Sequence, residues 1–140
     1  MQQHQKPLFI SHGSPMMAVE NSNTSCFLQR LGQKIPIPTV VIVFSAHLDV
    51  IDDIVITAGA RPETIRDFYG FPDELYQIRY PAPVAPVLAK KLPTHVAGIK
   101  VYLSPTQDWD HDVWIPLKLM YPQTNIPIVQ LSINTLVSAA

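Results

Sequence analysis

The chain has 140 residues, 47% hydrophobic and only 15% charged, with 14 prolines and a formal net charge of −1. That apolar content excludes a disordered chain, the length suits one domain over 1–140, and the scattered lysines and arginines exclude the basic stripe that binding nucleic acid requires. A charged fraction well under the usual ~25% leaves surface that ionic side chains cannot solvate, so a homo-oligomer or a covering segment is expected.

The polar start, Met1 to Lys6, and an apolar stretch that stops at Ser11 do not make a signal-peptide core. No apolar run approaches the ~20 residues that span a bilayer, so no membrane partner is expected and the chain reads as cytoplasmic. The lone Cys26 forms no intrachain disulfide and no cysteine-based zinc site, and reads as buried packing.

In chain order, Leu8-Phe9-Ile10 reads as a short strand opening into a His12-Gly13-Ser14-Pro15 turn. A helix capped by Asn23 or Thr24 should run to about Leu31 and stop at Gly32. Val40-Val41-Ile42-Val43-Phe44 is continuously apolar, as in a central strand buried on both faces, and an aspartate-rich turn from Asp49 to Asp53 suits a hairpin into Ile54-Val55-Ile56-Thr57. Arg61 to Pro86 is a long loop set with aromatic residues, of the length that usually serves function. A helix near Val84 to Lys91, a strand at Ile99 to Leu103, a helix from about Val113 to Tyr121 and a strand at Ile128 to Ile133 complete an α/β pattern with a mostly parallel sheet flanked by helices.

Two histidines stand just past apolar strands, His12 after Ile10 and His47 after Ser45-Ala46. Ligands of open α/β sheets bind beyond the carboxyl ends of strands, so these two imidazoles are candidate ligands of one metal. A catalytic site usually takes three protein ligands, and this pair leaves one unassigned. His111, in Asp108-Trp109-Asp110-His111-Asp112 before a predicted helix, suits hydrogen bonding to a substrate oxygen or moving a proton, while Asp110 or Asp112 suits the helix cap. His4 and His95 have no such context and read as solvent-exposed. Without a Gly-x-Ser-x-Gly elbow Ser14 is a poor nucleophile, and neither a phosphate-binding glycine loop nor a His-Glu-x-x-His helix is present.

Taken in order, His12-Gly13-Ser14-Pro15, Ser45-Ala46-His47, Thr64-Ile65-Arg66-Asp67-Phe68-Tyr69-Gly70-Phe71-Pro72, Tyr80-Pro81-Ala82-Pro83 and Asp110-His111 with Pro116 to Pro122 resemble the class III extradiol ring-cleaving dioxygenases. The branch they resemble most is the dihydroxyphenylalanine-dioxygenase-like one. The resemblance implies an α/β sandwich in which His12 and His47 ligate a divalent metal, Fe(II) for activity or Zn(II) as bound, and His111 is catalytic and faces the substrate. It implies a catechol-type diol and dioxygen as partners, with ring opening beside the diol.

The resemblance extends over only the amino-terminal half of the family's catalytic domain, and the remaining metal ligand and a further catalytic histidine belong to the other half. The 140-residue chain is therefore expected to hold metal weakly and to lack appreciable ring-cleaving activity by itself. The alternative is a non-catalytic, self-associating remnant with weak metal binding. Leu48 replaces a usual tryptophan, while Val84 and Asp112 each replace a usual glycine.

Overall fold

The computed structural model describes residues 5–92, 95–96 and 98–136. Its strands are β1 (Val41–Asp49), β2 (Asp53–Thr57), β3 (His95–Val96), β4 (Ile99–Ser104) and β5 (Ile128–Ile133). Its α-helices are α1 (Asn23–Lys34), α2 (Asp73–Tyr76), α3 (Pro86–Lys91) and α4 (His111–Met120), with a 3-10 turn at Pro15–Ala18. The readings of His4 and of the His95 side chain lie outside the described residues.

One sheet runs in the order β1-β5-β2-β4-β3. Its two long ladders, β1 with β5 and β2 with β4, are parallel, and they meet in an antiparallel contact at Ile56 and Leu131. The α/β architecture with a mostly parallel, helix-flanked sheet is as expected. The arrangement inside it differs in two respects. β5 is buried almost throughout and takes the central place, which separates β1 from β2 and replaces the expected hairpin. The Asp49–Asp53 turn instead passes over the end of β5, with the Val50 amide donating to the Ile133 carbonyl at 3.0 Å.

β1 is consequently an edge strand among the described residues, not a strand buried on both faces. Val41 and Val43 pack on the core, while Ile42 and Phe44 on the opposite face are 52% and 63% exposed. Leu8 to Ile10 has no ladder partner among the described residues and stays an extended, unpaired segment with Phe9 fully exposed.

The main core lies between the sheet and the α1–α4 pair. Val113, Trp114, Ile115, Leu117, Leu119 and Met120 make α4 apolar nearly all round, the composition of a buried helix. α1 starts one residue earlier than expected, on a Ser22 cap that exchanges side-chain and backbone hydrogen bonds with Ser25. Gly32 does not stop this helix, which continues to Lys34. It is the point of closest approach to α4, where an added Cβ would lie 2.2 Å from the Met120 carbonyl oxygen. On the other face α3 packs Ala89 and Leu88 against Ile56, Val129 and Leu131. Cys26 is half-buried, its Sγ donating to Asn21 Oδ1 at 2.9 Å.

The loop between β2 and α3 is held by the polar ends of buried aromatic residues. The Tyr80 hydroxyl donates toward the Leu117 and Tyr121 carbonyls at 3.3 and 3.0 Å. Burial, reinforced by Tyr121, pushes its phenol well above the ordinary tyrosine range, so it stays a neutral donor. Trp114 Nε1 donates to the Ile65 carbonyl at 2.7 Å and Trp109 Nε1 to the Ala82 carbonyl at 3.2 Å. Each ring thus fills core volume while satisfying a backbone carbonyl of the loop.

Gln130, fully buried on β5, sets the path of the chain into α4. Its Oε1 accepts from the Asp110 amide at 2.8 Å, and its Nε2 donates to Thr57 Oγ1 at 2.7 Å and to the Asp108 carbonyl at 2.9 Å. No helix of the described residues is long and apolar enough to cross a membrane.

Two variants test this account by urea unfolding. Gly32→Ala gains about 1 kcal/mol of helix propensity, yet it must push α1 from α4, and overpacking of this kind costs about 1–3 kcal/mol. Its midpoint should fall, and a rise would show that the two helices separate freely. Gln130→Leu leaves the Asp110 amide, the Thr57 hydroxyl and the Asp108 carbonyl without that partner, at about 1–3 kcal/mol for each group left unsatisfied. A loss under about 1 kcal/mol would mean that water or a rearrangement replaces the amide.

Candidate metal centre

Three separate pieces of chain deliver the three histidines. Gly13 adopts φ +60°, a left-handed conformation in which a side chain is strained, and Ser14 then caps the 3-10 turn by accepting from the Met16 amide. This turn leaves His12 half-buried at its mouth. His47 is placed by an irregularity in β1: Ser45 pairs with Ser132 and Asp49 with Ile133, so several β1 residues oppose a single step of β5. The surplus residues bulge out of the ladder, and His47 leaves the sheet with them.

His111 is the first residue of α4. Asp110 is the cap, accepting from the Asp112 amide at 2.9 Å, so the sequence alternatives resolve in its favour. That leaves the Asp112 side chain for another use, and it turns inward among the histidines.

The ring centroids of His12 and His47 lie 5.5 Å apart, those of His12 and His111 5.4 Å, and those of His47 and His111 4.4 Å. One donor atom from each of His12, His47, His111 and Asp112 falls within 4.8 Å of the others. Asp112 Oδ1 touches His12 Nε2 and lies 2.8 Å from His47 Nδ1 and 3.9 Å from His111 Nε2. His111 is oriented from behind, its Nδ1 bonded to Asp67 Oδ1 at 2.6 Å, which turns Nε2 toward the cluster. Phe68 meets the His111 ring edge-on at 5.8 Å.

Burial is the largest influence on His12 and lowers its pKa below the ordinary histidine value. Asp112 pulls it back up, His111 and His47 lower it further, and Asp110 raises it. A neutral imidazole with a free lone pair is the ligating form of histidine. His12 Nδ1 and Asp112 Oδ1 are buried without a hydrogen-bond partner. Imidazole nitrogens and a carboxylate oxygen converging with unmet polar atoms fit a divalent cation such as zinc or ferrous iron.

The sequence pointed to His12, His47 and His111, and these three do come together. It missed two carboxylates. Asp67 carried no signal of its own, since its contact with His111 spans 44 residues of chain. Asp112 was readable only as a second candidate for the cap and as a departure from a glycine. Asp49, the carboxylate nearest His47 in sequence, points elsewhere and accepts from the Thr135 amide and hydroxyl at 3.1 and 2.7 Å.

Comparison with known proteins bears on this site. Residues 6–140 match the family described as the catalytic LigB subunit of aromatic ring-opening dioxygenase. A 4,5-DOPA dioxygenase extradiol of Escherichia coli K12 is 43% identical over 135 residues, covering 95% of this chain and 49% of the relative. A protein of the same name from Beta vulgaris is 41% identical over 133 residues, covering 91% and 49%. The chain spans about half the length of the curated relatives it matches. The crystal structure of an uncharacterized protein from Escherichia coli K12 superposes with a TM-score of 0.61 at 35% identity, over 82% of this chain and 42% of that one. With the match running from residue 6 to residue 140 and relatives above 40% identity, the chain belongs to the LigB family of aromatic ring-opening dioxygenases.

Proposed function

We propose that the chain is the amino-terminal half of an extradiol ring-cleaving dioxygenase domain, acting on a catechol-type diol with dioxygen. The observation that carries this reading is the convergence of His12, His47 and His111 from three distant segments in a LigB-family chain. His12 and His47 hold the divalent metal, Fe(II) in the active form and Zn(II) as a redox-inert substitute. The bound iron supplies a redox-active centre that lets the electrons of the diol reach dioxygen.

His111 faces the diol. Its Nδ1 is engaged by Asp67, so the Nε2 lone pair points inward and takes up a hydroxyl proton as the diol binds. Asp67 fixes the tautomer and ring plane, as a carboxylate behind a working histidine does. Phe68 walls this side of the site and excludes water from the proton path. A cytoplasmic setting suits ferrous iron and the free Cys26, and neither nucleic acid nor a bilayer enters the reading.

A second reading, favoured by the exposed Ile42 and Phe44 on edge strand β1, is a self-associating chain that binds metal without catalysis. Association belongs to both readings, and binding of a diol at the metal separates them.

Titration with zinc should show binding that is lost in His12→Ala and in His47→Ala; unchanged binding in both variants would remove the shared metal. After anaerobic loading with ferrous iron, 4-nitrocatechol should show an absorption shift that requires both histidines. Dihydroxyphenylalanine given to the iron-loaded chain in air should yield no appreciable ring-opened product; product that appears and is abolished in His111→Ala would show that the chain or its oligomer completes the site. Sedimentation equilibrium over a concentration series should give a mass above one chain that falls in Phe44→Glu. A single-chain mass at every concentration would show that the β1 face is not an association surface.

A further inference from the structure

We propose that Asp112 is a carboxylate ligand that joins His12 and His47 on the metal. The proposal rests on the metal-site reading above and specifies its third ligand.

Asp112 is held beneath two imidazoles with its side chain only 10% exposed. Its Oδ1 is buried and makes no hydrogen bond, although it lies against His12 Nε2 and 2.8 Å from His47 Nδ1. An ionised carboxylate is among the costliest groups to bury, and it is normally paired or bound to a metal. Two ordinary roles for an acidic residue at a helix start do not account for this placement. Capping is done by Asp110, which already accepts the Asp112 amide. Favourable interaction with the α4 dipole explains why an acidic residue is tolerated there, yet a side chain turned to solvent would satisfy it equally.

The contact is shared between rings rather than made with one. His12 Nε2 and His47 Nδ1 both point at the same oxygen, and His111 Nε2 is 3.9 Å from it, so three imidazole nitrogens converge on one carboxylate oxygen. A single divalent cation meets all the demands together: it takes the imidazole lone pairs and the carboxylate oxygen and removes the buried mismatch. Two histidines and one carboxylate are the donor set of the facial triads that bind non-haem ferrous iron and keep positions open for substrate. His111, backed by Asp67, then stays free to face the diol.

Zinc chloride titration of the full chain, with cobalt absorption as a second readout, should be carried out on the wild type, His47→Ala, Asp112→Asn and Asp112→Gly. Near-UV circular dichroism would report the fold of each, and Asp112→Gly covers the case in which the amide variant fails to fold. Both Asp112 variants should weaken zinc at least about tenfold, the lower range for losing even an outer partner of a ligand, and the visible cobalt bands should change in position and intensity. Wild-type or tighter zinc binding by Asp112→Asn and Asp112→Gly, with binding still lost in His47→Ala, would overturn Asp112 as a ligand and leave the two-histidine reading intact. Unchanged binding in His47→Ala as well would overturn both.

Discussion

One buried amide governs the geometry of the site. Gln130 sits on the central strand, and its three hydrogen bonds tie that strand to Thr57 on β2 and to the chain entering α4 at Asp108 and Asp110. The Asp108 carbonyl also accepts from Gln107 Nε2 at 3.2 Å, so the amide shares that anchor while serving the Asp110 amide and the Thr57 hydroxyl itself. Because Asp110 caps α4, the clamp also fixes where the helix begins. The directions of His111 and Asp112 follow from that starting point, so a residue outside the cluster sets the placement of two within it.

The other half of the cluster is positioned by backbone irregularity. His12 depends on a left-handed glycine, and His47 depends on residues that β1 carries in excess of β5. Both devices release a side chain from regular structure at the end of a strand, the region where open α/β sheets form their crevices. A cation held by this cluster would link the three segments that carry it. Its binding free energy therefore adds directly to the stability of the folded arrangement, because the unfolded chain has no preformed site.

Much of this was legible in the sequence, for local reasons. The apolar runs of β1, β2, β4 and β5 and the buried helix α4 announce themselves by continuity and length, and His12 and His47 stand out because they terminate such runs. What escaped was non-local. Whether β1 pairs with β2 or with β5 depends on which strand the two flanking layers bury best, and β5 wins that place. Gly32 has the local signature of a helix stop, yet its lack of a side chain serves a contact with Met120, 88 positions away. Asp110 and Asp112 are equivalent as cap candidates until the chain path set by Gln130 picks one, and only then does the other become available to the site.

The uncovered face of β1 is continuous with this chemistry. Alternation along the strand sends Val41, Val43 and Ser45 to the core and Ile42 and Phe44 outward, and the bulge carrying His47 follows at once. Ser45 Oγ, at the junction of the two, is buried without a hydrogen-bond partner. Ile42 and Phe44 therefore lie on the same strand as His47, a few residues before the bulge that carries it. The exposed β1 face and the cluster of histidines thus share one strand, packed on its inner face through Val41 and Val43 and open on its outer face at Ile42 and Phe44.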